Sequence, residues 1–272
     1  MTLMIKLSMM SYTMGRQPEH FDLEEMLKLT CELDLDGIDF VGLHDKTAKE
    51  LRKMADDHGI SVICHTFSAD FNHEDDAALR AAVEGSKRGI DDAVELGAPV
   101  VMIPPGSKPG ESRDVVRRRW TRGLKELQPI AREAGVILTV ENFPGAASPF
   151  VIATDMLEAV REVPGFKITF DNGNAAGGED PAESFRLCAQ HVVHAHFKDW
   201  TIVGENEGTR MLDGRWYKPA LIGEGIVDHK SCLAAMEAAG YDGYINIEYE
   251  ANDYKPADAV RRAADYLRGL GI

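Results

Sequence analysis

Short apolar runs alternate with longer amphipathic stretches along the whole chain, and this alternation restricts the fold more than any other feature. Eight runs rich in Val and Ile read as strands: Ile5–Met10, Gly37–Val41, Ser61–His65, Val100–Ile103, Ile137–Glu141, Lys167–Asp171, Val192–Phe197 and Tyr244–Glu248. Between and after them, apolar spacing of three and four predicts helices over Phe21–Leu33, Ala48–His58, Asp75–Leu96, Ser112–Ala134, Thr154–Glu162, Pro181–Gln190, Asp228–Ala239 and Pro256–Leu270. Asp22 is expected to cap the first of these. Gly59, Gly97, Gly135, Gly165 and Gly240 stand just beyond helices or before the next strand, where a left-handed residue belongs. Strand and helix alternate without a break, which predicts an α/β architecture of the (β/α)8 TIM barrel type. An open doubly wound sheet would carry a Gly-rich phosphate turn after its first strand, and Ser8-Met9-Met10-Ser11-Tyr12 is no such turn.

The 272 residues exceed one average domain, but α/β barrels often run to about 250 residues as a single unit. No Pro/Gly/Ser-rich linker or low-complexity segment divides the sequence, so residues 1–272 are expected to form one barrel domain. One connection is too long for its helix, that from Lys198 to Tyr244. Its excess, Thr201–Gly225, contains Arg210, Arg215, Trp216 and Tyr217, which suit a polyol ligand. Loops beyond about 12–15 residues in compact domains are usually functional or disordered. An active-site loop at about 199–227 is therefore expected to cover the substrate.

Charge excludes one class of partner. Lys and Arg number 30 against 45 Asp and Glu, a net charge of −15. Binding a polyanion rests on clustered Lys and Arg. The one dense basic run, Arg117-Arg118-Arg119 with Arg122, lies in a helical stretch with Glu126 and Glu133 and reads as a solvated face. Nucleic acid is not expected as a partner. No apolar run approaches the roughly 18 residues of a membrane span, so no membrane association is expected. The four cysteines, Cys31, Cys64, Cys188 and Cys232, form no CxxC pair, and no secretory signal is visible. The expectation is a cytoplasmic protein with reduced, buried thiols.

In a barrel the active site lies at the C-terminal ends of the strands. The fifth strand ends at Glu141 and the sixth at Asp171. The seventh carries His194 and His196 two apart, on one face, and the eighth ends at Glu248, with Glu250 two further on. Four consecutive strands thus bring metal-competent side chains to one rim. Three carboxylates there would repel one another and resist desolvation, a conflict that a divalent cation removes. Oxygen-rich ligation with one imidazole suits Mn²⁺, Mg²⁺, Co²⁺ or Zn²⁺.

The motifs V-E-N, F-D-x-G-N, H-x-H-F-K-D and I-x-I-E-Y-E, in this order, resemble the sugar phosphate isomerase/epimerase superfamily with the xylose isomerase-like barrel. That superfamily includes ketose 3-epimerases, inosose dehydratases and apurinic endonucleases. The resemblance covers essentially the whole chain. It implies one divalent metal ion, manganese first, held by Glu141, Asp171, His196 and Glu248. His196 is preferred to His194 because it precedes Phe197-Lys198-Asp199 as the family ligand does. It also implies that Glu141 and Glu248 act as the acid/base pair on a small sugar substrate, and association into a homo-oligomer is common in the related families. The nuclease branch has a histidine where Asn174 stands, and an Asp-x-His pair in the strand-seven loop that is absent here. Asn174 departs from the ketose epimerases as well.

Such a metal polarises a substrate carbonyl, so that a carboxylate can remove the adjacent proton and form an enediolate. Return of the proton gives epimerisation or isomerisation of a keto sugar or related polyol. Expulsion of a leaving group instead gives dehydration, as with an inosose, or cleavage of a 3-keto-glycoside. A non-catalytic sugar-binding barrel is the third reading. Supporting candidates for substrate contact are His65, Lys198, His44, Trp200 and Arg210, with His194 and Glu250 as partners of the ligands. Lys198 would otherwise pair with Asp199 or Glu224. Pro104-Pro105-Gly106 reads as a stiff turn at the mouth.

Overall fold

A computed structural model of the chain describes residues 5–20, 22–108 and 110–272. Its strands and helices alternate as the apolar pattern requires. In chain order they are β1 (Lys6–Met10), α1 (Ser11–Gly15), α2 (Leu23–Glu32), β2 (Gly37–Val41), α3 (Ala48–Asp57), β3 (Val62–Thr66), α4 (Asp76–Leu96), β4 (Val100–Ile103), α5 (Arg113–Ala134), β5 (Ile137–Glu141), α6 (Ala153–Glu162), β6 (Lys167–Asp171), α7 (Asn172–Ala176), α8 (Pro181–Cys188), β7 (Val192–Phe197), β8 (Asp199–Val203), β9 (Thr209–Arg210), β10 (Trp216–Ala220), α9 (His229–Ala238), β11 (Tyr244–Ile247) and α10 (Pro256–Gly269). Strands β1 to β7 and β11 close a parallel barrel in the order β1-β11-β7-β6-β5-β4-β3-β2. The expected barrel is therefore observed. Phe21, the expected start of the first long helix, lies outside the described residues. Asp22 caps that helix by accepting from the Glu25 N–H.

The period of two along each strand builds two layers. Outward residues such as Met9, Phe40, Leu138, Ile168, Phe197 and Ile247 are fully or almost fully buried in the core between sheet and helices. The inward row is unusually polar for such a barrel, with Ser8, Asp39, Thr139, Thr169, His194 and Asn246 all buried. Thr139 Oγ1 donates to the Val101 carbonyl and lies 2.8 Å from Thr169 Oγ1. Two long helices end at Gly97 and Gly135 with φ of +73° and +79°, the left-handed stop that a side chain with Cβ resists.

Two expectations are corrected. The segment 199–227 is not irregular: β8, β10 and β9 form an antiparallel sheet beside the barrel. The Asp199 carboxylate anchors both of its ends, accepting from the backbone N–H groups of Trp200, Gly223, Gly225 and Val227. The basic run on α5 is not simply solvated. Arg117 is buried and pairs with Asp114, Asp155 and Glu158, tying α5 to α6, while Arg119 pairs with Glu111 and Glu74. Cys64, Cys188 and Cys232 are buried as expected, whereas Cys31 is exposed on α2.

Candidate metal centre at the barrel mouth

Glu141, Asp171, His196 and Glu248 come from β5, β6, β7 and the residue after β11, neighbours around the barrel. Each can offer one donor atom such that all four atoms lie within 4.8 Å of one another, and all four residues are buried. His196 Nδ1 is 2.7 Å from Glu141 Oε1 and 3.5 Å from Glu248 Oε2. Asp171 Oδ2, Glu248 Oε2 and His196 Nε2 are buried without a hydrogen-bond partner. Buried polar atoms are rarely left so. Three carboxylates and one imidazole with unused acceptor atoms fit a divalent cation that prefers oxygen.

The charges already present point the same way. Burial opposes protonation of His196, but Glu141, Asp39 and Glu248 hold the ring well above its ordinary range. Burial likewise opposes the charge on Lys198, yet Asp171, Glu248 and Glu250 hold the ammonium well above its usual value. Burial would raise Glu248, but Lys198 and His196 keep it below the ordinary carboxylate range. Burial pushes Asp171 well up, helped by Glu141 and Glu248 against the pull of Lys198. Glu250 is pushed up to about 7, by burial first and by Glu248 against the same lysine. The site draws positive charge inward.

Local structure holds the candidate ligands in place. Asn142, in the V-E-N motif, clamps Asp171: its Nδ2 donates to the Asp171 carbonyl and its Oδ1 accepts from the Asp171 N–H, both at 2.8 Å. Asp171 in turn caps α7 by accepting from the Asn174 N–H at 2.6 Å. Asn172 Oδ1 accepts from the Lys198 N–H. Gly173 leaves room for Lys198, since a Cβ there would stand 2.4 Å from Lys198 Cγ. Lys198 Nζ reaches Glu248 at 3.1 Å, Asp171 at 3.5 Å and Glu250 at 3.6 Å. Neither Asp199 nor Glu224 is its partner, because Asp199 is bound to backbone N–H groups and Glu224 to Tyr254 and Arg262.

A layer deeper lies Asp39, which the sequence reading did not single out. Its Oδ2 is 2.6 Å from His194 Nε2 and 3.7 Å from His196 Nε2. With Cys64 and His194 it forms a second buried group of donor atoms. Asp39 lies 155 residues from His194 along the chain, so only the closed barrel reveals the pair.

Above the ligands is a cavity of about 240 Å³, lined by Met10, Tyr12, Val41, Thr66, Ser68, Met102, Pro104, Glu141, Phe143, His196, Glu248 and Glu250. None of the five expected substrate contacts, His65, Lys198, His44, Trp200 and Arg210, is among these residues. His65 sits between inward Cys64 and Thr66, so alternation turns it outward, where its Nδ1 lies 3.2 Å from the Phe40 carbonyl. His44 has φ +48° after β2 and its Nε2 lies 2.7 Å from Ser11 Oγ. Trp200 packs with Met211, Tyr217 and Val227 in a small core of its own. Arg210 is exposed on β9 and lines a separate depression with Glu205, Gly214 and Trp216. Pro104 of the stiff turn does line the cavity.

Known proteins place this geometry in a family. The chain is 28% identical over 160 residues to an inosose dehydratase of Lacticaseibacillus casei, covering 55% of this chain and 53% of that one. It is 27% identical over 198 residues to the L-ribulose-5-phosphate 3-epimerase UlaE of Salmonella paratyphi C, covering 72% of this chain and 66% of that one. The matches thus span between about half and two thirds of those relatives. The fold is similar to that of the crystal structure of the IOLI protein with a binding zinc atom, at a TM-score of 0.81, with 18% identity and 98% of each chain covered. The family model described as xylose isomerase-like TIM barrel matches residues 27–270, and the chain belongs to that family.

Proposed function

We propose that the protein is a divalent-metal-dependent epimerase or isomerase of keto sugars, with manganese as the preferred ion. The observation that carries this reading is the set of four buried donors within 4.8 Å of one another, in which Asp171 Oδ2 and Glu248 Oε2 accept no hydrogen bond. Glu141, Asp171, His196 and Glu248 would hold the ion. When bound, it supplies Lewis-acid polarisation of a carbonyl and so acidifies the adjacent C–H. Glu141 and Glu248 stand three strands apart around the rim and both line the cavity. One carboxylate takes the proton from one side of the substrate carbon, and the other returns a proton from the opposite side. The Lys198 ammonium, 3.1 Å from Glu248 Oε1, orients that carboxylate.

A second reading is dehydration or another elimination at the same carboxylates, supported by a relative that is named an inosose dehydratase. The test begins with elemental mass spectrometry of protein purified without added metal. Close to one equivalent of a divalent transition metal per chain is expected. Keto sugars are then incubated with the loaded protein in D₂O. Deuterium in an otherwise intact product supports epimerisation, and loss of water supports elimination. Neither metal uptake nor exchange would sink both readings.

A further inference from the structure

We infer that the substrate of this site is an uncharged keto sugar that carries no phosphate, an inference that rests on the keto-sugar reading. Among the described residues that line the cavity there is no Arg or Lys. Met10, Val41, Met102, Pro104, Phe143 and the ring of Tyr12 give it apolar surface. Its charged surface is the carboxylate cluster, where Glu250 adds a further acid beside Glu248. A phosphate would therefore meet hydrocarbon, the hydroxyl-bearing side chains of Tyr12, Thr66 and Ser68, or like charge, with no lining cation to pair with it.

Among the described residues, two cations contact side chains of the lining: Arg16, over the Tyr12 ring with Nη1 3.4 Å from its hydroxyl, and Lys198 beside Glu248 and Glu250. Lys198 is 2% exposed and held by Asp171, Glu248 and Glu250. Lys108 Nζ donates to the Asn72 carbonyl and pairs with Asp70 at 3.5 Å. Arg119 pairs with Glu111 and Glu74.

Backbone donors are engaged as well. In barrels of this kind a phosphate is often held by N–H groups in the loops after the last two strands. Here the N–H groups of Trp200, Gly223, Gly225 and Val227, which follow the seventh barrel strand, all donate to the buried Asp199 carboxylate. At the N-terminus of α7, Asp171 fills the corresponding place. The chain's own carboxylates occupy the positions where an anion would be recognised. What remains is apolar surface that suits the C–H face of a neutral sugar and polar surface that suits its carbonyl and hydroxyl groups.

The experiment compares matched substrates on the manganese-loaded protein. The pairs are L-ribulose with L-ribulose 5-phosphate, and a methyl 3-keto-glucoside with its 6-phosphate. Deuterium exchange and turnover give kcat/KM for each. The uncharged member is expected to be favoured at least tenfold in any pair that reacts, with a rate that is flat between low and high salt. A phosphorylated member favoured tenfold, with a rate that falls as salt rises, would overturn the inference while leaving the keto-sugar reading in place. No reaction by any of the four, with one manganese bound per chain, would overturn the keto-sugar reading and this inference with it.

Discussion

Glu248 is the side chain on which most of the proposed chemistry converges. It lines the cavity, offers a donor to the candidate metal centre and takes the Lys198 ammonium. Glu248→Gln keeps the shape and removes the base, so kcat should fall by about 10²–10⁴-fold with an unchanged far-UV circular dichroism spectrum. Wild-type turnover in that variant would refute the acid/base assignment. Asp39 acts one layer deeper. With His196 Nδ1 turned toward Glu141 and Glu248, its other nitrogen faces the Asp39 carboxylate. Such partners fix the orientation of a ligating imidazole, so Asp39→Asn should weaken metal affinity by about 10–100-fold. Competition with a chromophoric chelator measures this, and an unchanged affinity would assign Asp39 to the barrel interior alone. The four candidate ligands were legible in the sequence because each stands at or next to a strand end in a compact motif. Asp39 was not, because its partners sit on the far side of a barrel that closes only in three dimensions. His65 was misjudged by one residue of register, since a strand's two faces alternate and only the structure says which face is inward.

At the scale of elements, long periodic segments were readable and short ones were not. The barrel strands and long helices follow directly from apolar spacing. The five-residue helices α1 and α7 are too short to show a period. The sheet of β8, β9 and β10 was hidden for another reason: its strands are separated by Gly, Asn and Asp, so the segment reads as loop. What organises it is Asp199, whose four backbone partners are spread over residues 200–227. Asp199→Ala strands those N–H groups in a buried setting. The expected loss is about 3 kcal/mol of stability, measured by urea unfolding, together with faster proteolytic cleavage between Val203 and Arg215. Cleavage at the wild-type rate would mean that the sheet's own ladder suffices to hold it.

For the molecule as a whole, the candidate centre ties together four neighbouring strands of the barrel's rim, β5, β6, β7 and β11, so its occupancy should be felt in global stability. A ligand present at about 100 times its dissociation constant adds about 2.7 kcal/mol. For a chain of this size, removing it should lower Tm by about 5–10 °C. Differential scanning calorimetry before and after chelation, with re-addition of Mn²⁺, checks this, and an unchanged Tm would mean that no ion is held there. The net charge of −15 pointed away from nucleic acid, and acidic groups line the cavity of the candidate site. It could not say where the one structured excursion from the barrel would be fastened. A single carboxylate clamps both feet of that excursion, and between the feet it meets the loops after β5 and β6 through the Ala146 N–H to the Arg210 carbonyl and the Asp213 N–H to the Gly177 carbonyl, which leaves the β8–β9 turn free of both. Chain length can be gained or lost around Gly204–Gly208 while the barrel keeps its register. The feature that stiffens this protein therefore also marks where new recognition elements can be grafted onto it.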